Sequence, residues 1–412
     1  MCSIEGKNAA ELTKQLQSSL DEIEAWRDEH LSLDGGFGLA GPSIGRTHRP
    51  WLYSMSADYY PGERVHLASP AFDDIENLAI DLARKLYHCK YVDLHTLSAG
   101  SATMVAICAL TEAGDTIMSL PDPLGHRSMR KDGFGQFIKR NYVDIPVDAS
   151  NLCIKMDEFE ELALRERPRL IMLGSALYIF NEPFREIRAI ADKIGALVYV
   201  DVSHTLGLIQ CSMGVNPLDN GAHIIAGSTY KTVSGPNKGV ICTNSPEIRQ
   251  KIHDTALRMV FNYNAFLIPA LAQAFIELYS FGEGYGCQMI KNAKALGHYM
   301  QEQGFDVVGS EKGFTDTHLI AVKMSGSDPH KVVEQLGRAN ILCSTVPLDK
   351  DNFYLRPATL VPTRRGMLEK DMELLASLLA EVILNNEPEK AKIRVAQIMN
   401  TPESKRVYFS QS

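Results

Sequence analysis

Between residues 72 and 228, short apolar runs alternate with segments of helical spacing, and this alternation restricts the possible folds more than any other feature. Ile75, Leu78, Ala79, Leu82, Ala83 and Leu86 recur at helical intervals, residues 91–95 are short and extended, and 102–111 are again helical. Residues 116–120 read as a strand. Residues 156–165 read as a helix stopped by Pro168, 170–174 as a buried strand, and 184–194 as a helix with Gly195 just past its end. Ala196-Leu-Val-Tyr-Val-Asp201 is the clearest buried strand, and 223–228 is another. Such a succession predicts an α/β fold: a mostly parallel sheet with helices on both faces. Reactive residues in such sheets gather at the C-terminal ends of strands. Asp201 closes one of these strands and Lys231 follows another.

The 412 residues are enough for two or three domains. Residues 1–45 read as an N-terminal arm with one helix, whose Leu12, Leu16, Leu20, Ile23 and Trp26 share a face. A large domain is expected over 46–287. A smaller C-terminal α+β domain follows over 288–395, with a helix at 289–303, a strand at 318–324 and helices at 328–338 and 368–384. The charged tail, 396–412, reads as peripheral. Gly36-Phe-Gly38-Leu-Ala-Gly41 matches the dinucleotide fingerprint in form, but a helix precedes it and Pro42 follows, so it reads as a flexible loop.

Forty-two basic against fifty acidic residues leave a net charge of −8, which excludes a chain whose main task is gripping nucleic acid. No apolar run reaches the ~18 residues that a membrane helix needs. Glu5 and Lys7 near the start do not follow the layout of an export signal. The eight cysteines are scattered without a Cys-x-x-Cys pair, which reads as reduced thiols in a cytoplasmic protein and as no metal site.

The chemistry lies in Asp201-Val-Ser-His204 and Ser228-Thr-Tyr-Lys231-Thr-Val-Ser-Gly-Pro236. A lysine in a strand-end loop can form an imine with an aldehyde. An acid at a neighbouring strand end can hold a ring nitrogen protonated. Pyridoxal 5'-phosphate requires these two groups of its protein. Ser98, Ala99, Gly100 and Ser101 open a helix, where free backbone N–H groups and the helix dipole favour a phosphate.

These segments resemble the serine hydroxymethyltransferase family, enzymes of the aspartate aminotransferase fold type (fold type I), from about Ser56 to Leu384. Tyr60-Pro-Gly62, Ser98-Ala-Gly-Ser-Ala102, Gly125-His126, Lys291-Asn-Ala-Lys-Ala295, Gly337-Arg-Ala-Asn-Ile341 and Arg356…Thr363-Arg-Arg-Gly366 occur in the family's order. The resemblance implies that Lys231 carries the cofactor and Asp201 faces its ring nitrogen, with Ser228 and Tyr230 beside the lysine. It implies that His126 stacks on the ring and that Ser175 contacts cofactor or substrate. His204 either supports this network or is a satisfied core histidine. Arg356 is expected to bind the substrate carboxylate, since a planar guanidinium matches two carboxylate oxygens. A homodimer, or a dimer of dimers, is implied as well.

Several positions depart from the family pattern. Tyr230 replaces the usual His, Asn237 the usual Arg, and Ser56-Ala-Asp58 the usual Tyr-Ala-Glu, so the candidate acid or base Asp58 is one methylene shorter. His66 replaces a Tyr on the substrate side, Asn262-Tyr-Asn-Ala265 replaces a glycine-rich segment, and Cys343-Ser344 replaces Lys-Asn near the folate pterin. Cofactor-holding residues are thus kept while folate-side residues change. The expected activity is aldol or retro-aldol chemistry on a small or β-hydroxy L-amino acid, with an aldehyde rather than folate as second substrate. Folate-dependent hydroxymethyl transfer, another reaction at the α-carbon (amino transfer, racemisation, oxidative decarboxylation), and a binding-only homologue are the alternatives.

Overall fold

The computed structural model describes residues 8–64, 70–122, 124–125, 133–148, 150–260, 262–348 and 352–411. Seven strands form the central sheet: β1 (Tyr91–Asp93), β2 (Thr116–Ser119), β3 (Asn141–Asp144), β4 (Leu170–Leu173), β5 (Leu197–Asp201), β6 (Ile224–Ser228) and β7 (Gly239–Thr243). Their order across the sheet is β1-β7-β6-β5-β4-β2-β3. Only β7 runs against the rest, pairing antiparallel with β1 and β6. The register sets Leu173 beside Val200 and Val200 beside Ile225. Strands β4 and β6 are buried along their whole length, as strands covered on both faces must be. The α/β expectation therefore holds, and the C-terminal ends of β1, β2, β4, β5 and β6 share one edge.

The helices are α1 (Ala9–Glu29), α2 (Pro70–Tyr87), α3 (Ala99–Leu110), α4 (Met156–Glu166), α5 (Phe184–Ile194), α6 (Pro246–Met259), α7 (Ile268–Glu302), α8 (Pro329–Arg338), α9 (Met372–Ile383) and α10 (Pro388–Met399). Helix α5 ends where expected, with Gly195 left-handed at φ 71°. Helix α3 starts three residues before the apolar pattern does, because Ser98 caps it. Helix α7 starts 21 residues earlier than expected. Gly282 and Gly286 look like breaks in the sequence, yet they are points of close packing: a Cβ there would lie 2.9 Å from the Cβ of Gln210 and of Cys211. Helix α7 is long and apolar enough to cross a membrane by length and composition, with 56% of its apolar window buried in the protein.

Helix α7 spans two cores. Its first half packs with α2 and the central sheet, and its second half (Ala293, Leu296, Met300) with a three-stranded antiparallel sheet and α8–α10. The small sheet has the order β8-β10-β9, with β8 (Val322–Ser325), β9 (Ser344–Pro347) and β10 (Asn352–Arg356). Leu31–Ser32 pairs in parallel with Ile341–Leu342, so the arm joins the second core.

Two expectations are corrected. The 34–45 segment is not a loose loop, since Gly38 N donates to Tyr230 O (2.7 Å) and Arg364 Nε donates to Leu39 O (3.1 Å). The chain end is not peripheral either. Ser404 is buried and the Phe409 ring lies 5.5 Å from that of Tyr285. Arg364, paired with buried Glu277 (2.8 Å), also donates to Phe409 O.

Candidate active site

The loop after β6 folds back on itself. Thr229 N donates to Lys238 O (3.0 Å), Gly235 N to Thr229 O (2.8 Å) and Ser234 N to Lys231 O (2.8 Å). Lys231 is thereby held at the sheet edge with its side chain buried and its Nζ 3.3 Å from His204 Nε2. Burial pushes its amine down to about 8, with Asp201 and Asp34 opposing the shift and Arg356 adding to it. A Cβ at Gly38 would lie 2.3 Å from Lys231 O, so the N-terminal segment reaches the lysine loop only because that residue is glycine.

Asp201, at the end of β5, is buried and accepts a hydrogen bond from Ser203 N (2.8 Å). Strand β4 leads through Gly174 to Ser175, which is half-buried, donates to Leu124 O (3.0 Å) and accepts from Leu177 N (2.9 Å). Gly174 has φ 102°, and a Cβ there would strike Asp201 O at 2.3 Å. Five residues past β1, Ser98 and Ser101 cap each other's backbone, at 3.2 and 2.9 Å. The N–H groups of Ala99 and Gly100 are left at the helix start without an intrahelical acceptor. Gly239 packs β7 on this turn, its N–H donating to Thr96 O (3.1 Å).

Arg356, the last residue of β10, donates through Nε and Nη2 to Ser344 Oγ (3.2 and 2.9 Å) and through Nη1 to Ala176 O. Ser344 Oγ in turn donates to Asp34 Oδ1 (3.3 Å). Nη2 also lies 4.0 Å from Asp34 Oδ1, so the guanidinium already faces one carboxylate, and among the described residues three of its five N–H donors are used in hydrogen bonds.

The geometry brings Lys231, His204, Asp201, Ser228, Tyr230, Ser175, Arg356 and the Ser98–Ser101 turn to one edge. Asp58 is not joined to them: it accepts from Ser56 Oγ (3.0 Å), and no hydrogen bond or ion pair among the described residues links it to Lys231 or Arg356. His126 and His66 lie outside the described residues. Among the described residues no group of His, Cys, Asp and Glu is arranged to hold a metal ion.

Sequence reasoning missed four contributors. Asp34 and Gly38 gave no signal beyond a glycine-rich stretch. His318 is fully buried, its ring 5.6 Å from that of His204. Lys238 is buried in the Gly-Pro-Asn-Lys-Gly239 turn, with its Nζ donating to Tyr263 O, and burial pushes it down to about 8. Tyr263 heads a column of stacked rings, 4.0 Å from His95, which lies 3.8 Å from Tyr60. The segment 262–265, expected to depart from a glycine-rich family pattern, is thus braced by aromatic stacking.

The arrangement fits pyridoxal phosphate on its own terms. A buried amine, a buried carboxylate, a helix start with free N–H groups, and Ser228 Oγ and Thr96 Oγ1, which have no partner among the described residues, all lie on this edge. Buried hydroxyls without partners are uncommon in a finished core.

Residues 50–379 match the family model described as serine hydroxymethyltransferase. A serine hydroxymethyltransferase of Archaeoglobus fulgidus is 33% identical over 400 residues, covering 92% of this chain and 91% of its own. That of Sulfolobus acidocaldarius is 30% identical, covering 92% and 90%. Among solved structures, an L-threonine transaldolase from Pseudomonas fluorescens superposes with a TM-score of 0.90 at 24% identity, covering 97% of this chain and 94% of that one.

Proposed function

The chain belongs to the serine hydroxymethyltransferase family of pyridoxal 5'-phosphate enzymes, and from that premise we propose that it makes or breaks the Cα–Cβ bond of a small or β-hydroxy L-amino acid, with an aldehyde in place of folate. One observation carries the proposal. Ser344, where the family has the Asn of a Lys-Asn pair near the pterin, is fully engaged within the protein. It donates to Asp34 and accepts twice from Arg356. Its neighbour Cys343 is buried, and burial raises its thiol further from ionisation. Among the described residues neither side chain is left free for a pterin, and Ser344 instead holds the arginine expected to bind the carboxylate. The name of the transaldolase that shares the fold points to the same class of reaction.

Bound pyridoxal phosphate supplies a reactive carbonyl carbon and a ring that takes up electrons released at the substrate's α-carbon. The protein's part follows from the groups at the edge. Lys231, with its amine near 8, is neutral often enough at ordinary pH to bond the cofactor and to take a proton. Asp201 holds the ring nitrogen protonated, and the Ala99 and Gly100 N–H groups take the phosphate. Arg356 holds the α-carboxylate, orienting the bond to be broken. His204, beside Lys231 Nζ, is placed to pass a proton to or from that amine.

The second reading is folate-dependent hydroxymethyl transfer, favoured by the names of relatives at about 30% identity. Transfer from L-serine to tetrahydrofolate, set against acetaldehyde release from L-threonine, separates the two. Acetaldehyde release without folate, and no methylene transfer with it, is expected; efficient methylene transfer would overturn the proposal. A cytoplasmic homodimer, or a dimer of dimers, is part of the same reading.

A further inference from the structure

Strand β1 is the outermost of the central sheet, and among the described residues it pairs with β7 alone. Beside it, α2 and α6 border a cleft of about 220 Å³. The floor is apolar, made by Ile80 of α2, Val92 of β1, Ile241 of β7 and Ile252 of α6. None of the groups gathered around Lys231 lines it. Tyr60 closes the inner end, its ring held between those of His253 (4.2 Å) and His95 (3.8 Å) and its hydroxyl donating to Asp93. A wall fixed in this way is formed before a ligand arrives, as the walls of small-molecule sites mostly are.

The charges in the cleft are unequally engaged. Asp93 accepts from Tyr60 and from His95 N (2.9 Å), and Glu63 is hydrogen-bonded to His253 Nε2 (3.2 Å). Among the described residues no carboxylate pairs with Arg249, whose Nη1 donates to Gln250 Oε1 (3.1 Å). Arg84, on the other lip, has the exposed Asp81 (3.0 Å). Burial and the Asp93 charge push the Tyr60 hydroxyl up, and Arg249 opposes them, so its guanidinium lies towards the inner end.

We propose that this cleft is a second ligand site, one that takes a small carboxylate with a branched alkyl body. The planar fork of Arg249 matches the two carboxylate oxygens, and the alkyl body lies on the isoleucine and valine floor. A protein cavity of ~150 Å³ takes up benzene, so this cleft has room for a body of roughly six carbons. A phosphate fits less well, because its second negative charge would face Asp93 and Glu63 across the same space. An alcohol of the same shape leaves Arg249 without an anion.

The test measures binding to the holoenzyme, not turnover, so its outcome is separate from that of the aldol reading. Titrations with 4-methylpentanoate, 4-methylpentan-1-ol and inorganic phosphate are followed by calorimetry. The wild type is expected to bind the carboxylate about tenfold more tightly, or better, than either of the others, and Arg249→Met should lose about that factor. Asn77→Trp, at an exposed position lining the cleft, obstructs it and should weaken carboxylate binding to a similar degree, which keeps the inference testable if Arg249→Met does not fold. Arg356→Lys should leave the affinity unchanged within about twofold, since the probe sits elsewhere. No binding to the wild type, or an alcohol or phosphate held as tightly as the carboxylate, overturns the inference. So does full affinity in Arg249→Met or Asn77→Trp, and so does a loss confined to Arg356→Lys, which would place the probe at the amino-acid site.

Discussion

His318 lies face to face with His204, ring centroids 5.6 Å apart and planes 27° from parallel, and among the described residues neither of its ring nitrogens has a hydrogen-bond partner. His204 is thereby boxed between that ring and Gly35, whose Cβ, if it had one, would lie 3.7 Å from His204 Cε1. The box fixes the imidazole that lies beside Lys231 Nζ.

His318→Phe keeps the stacked ring and removes two orphaned polar atoms, so it is expected to be neutral or stabilising by ~1–2 kcal/mol in urea unfolding. His318→Ala leaves a void behind His204 and should cost ~2–4 kcal/mol. Burial, with the Arg356 and Lys231 charges, pushes His318 down from 6.5 to about 3. The unfolded chain therefore takes up a proton below pH 6.5 that the folded protein refuses until about pH 3. Stability from this residue is complete above pH 6.5 and is lost as the pH falls through that window, at up to ~1.4 kcal/mol per pH unit. His318→Phe should lack this component; an unchanged acid limb would show that His318 is protonated in the folded state.

Capture of pyridoxal phosphate by the apoprotein needs the neutral amine of Lys231. Its rate is expected to rise with pH with a midpoint near 8 rather than 10.5. Stopped-flow absorbance across pH 6–11 measures this. Lys231→Ala should lose the visible band and the borohydride-fixed adduct, and an adduct surviving in that variant would mean that another lysine carries the cofactor.

Arg356→Lys leaves a positive charge but not the planar fork. We expect KM for L-threonine to rise about 100-fold, ~2.7 kcal/mol, with cofactor affinity unchanged. Ser344→Ala, which removes the acceptor of two Arg356 bonds, should give a smaller loss in KM. Equal KM values in all three proteins would remove Arg356 from the substrate site.

Leu16 and Ile23 are 63% exposed on a 21-residue helix that buries none of its residues within its own chain. If that face meets a second copy, the double change Leu16→Glu, Ile23→Glu should shift the mass measured by light scattering from dimer to monomer. A mass that stays dimeric would place the interface elsewhere.

Much of the site was legible because its parts sit at the ends of strands. The apolar run 196–201 marks β5 and places Asp201 at its carboxyl end, and 223–228 does the same for the approach to Lys231. Ser98 is legible because an N-cap has a local signature. Gly282 and Gly286 misled, since a glycine that ends a helix and one that lets a loop lie against it look alike in one dimension. Asp34, Ser344 and His318 carry no local pattern, for each acquires its role from a residue far away in the chain.

Alone, the sequence determined the α/β alternation and, through it, that an amine and a carboxylate would lie near one another: parallel strands aligned by their hydrogen bonds must end on a common edge. Only the tertiary structure decided what closes that edge. The bond from Gly38 to the lysine loop, the Asp34–Ser344–Arg356 chain and the His318–His204 stack join segments up to hundreds of residues apart. Contacts of that kind arise from the packing of two cores against each other, and no periodicity within a single segment records them.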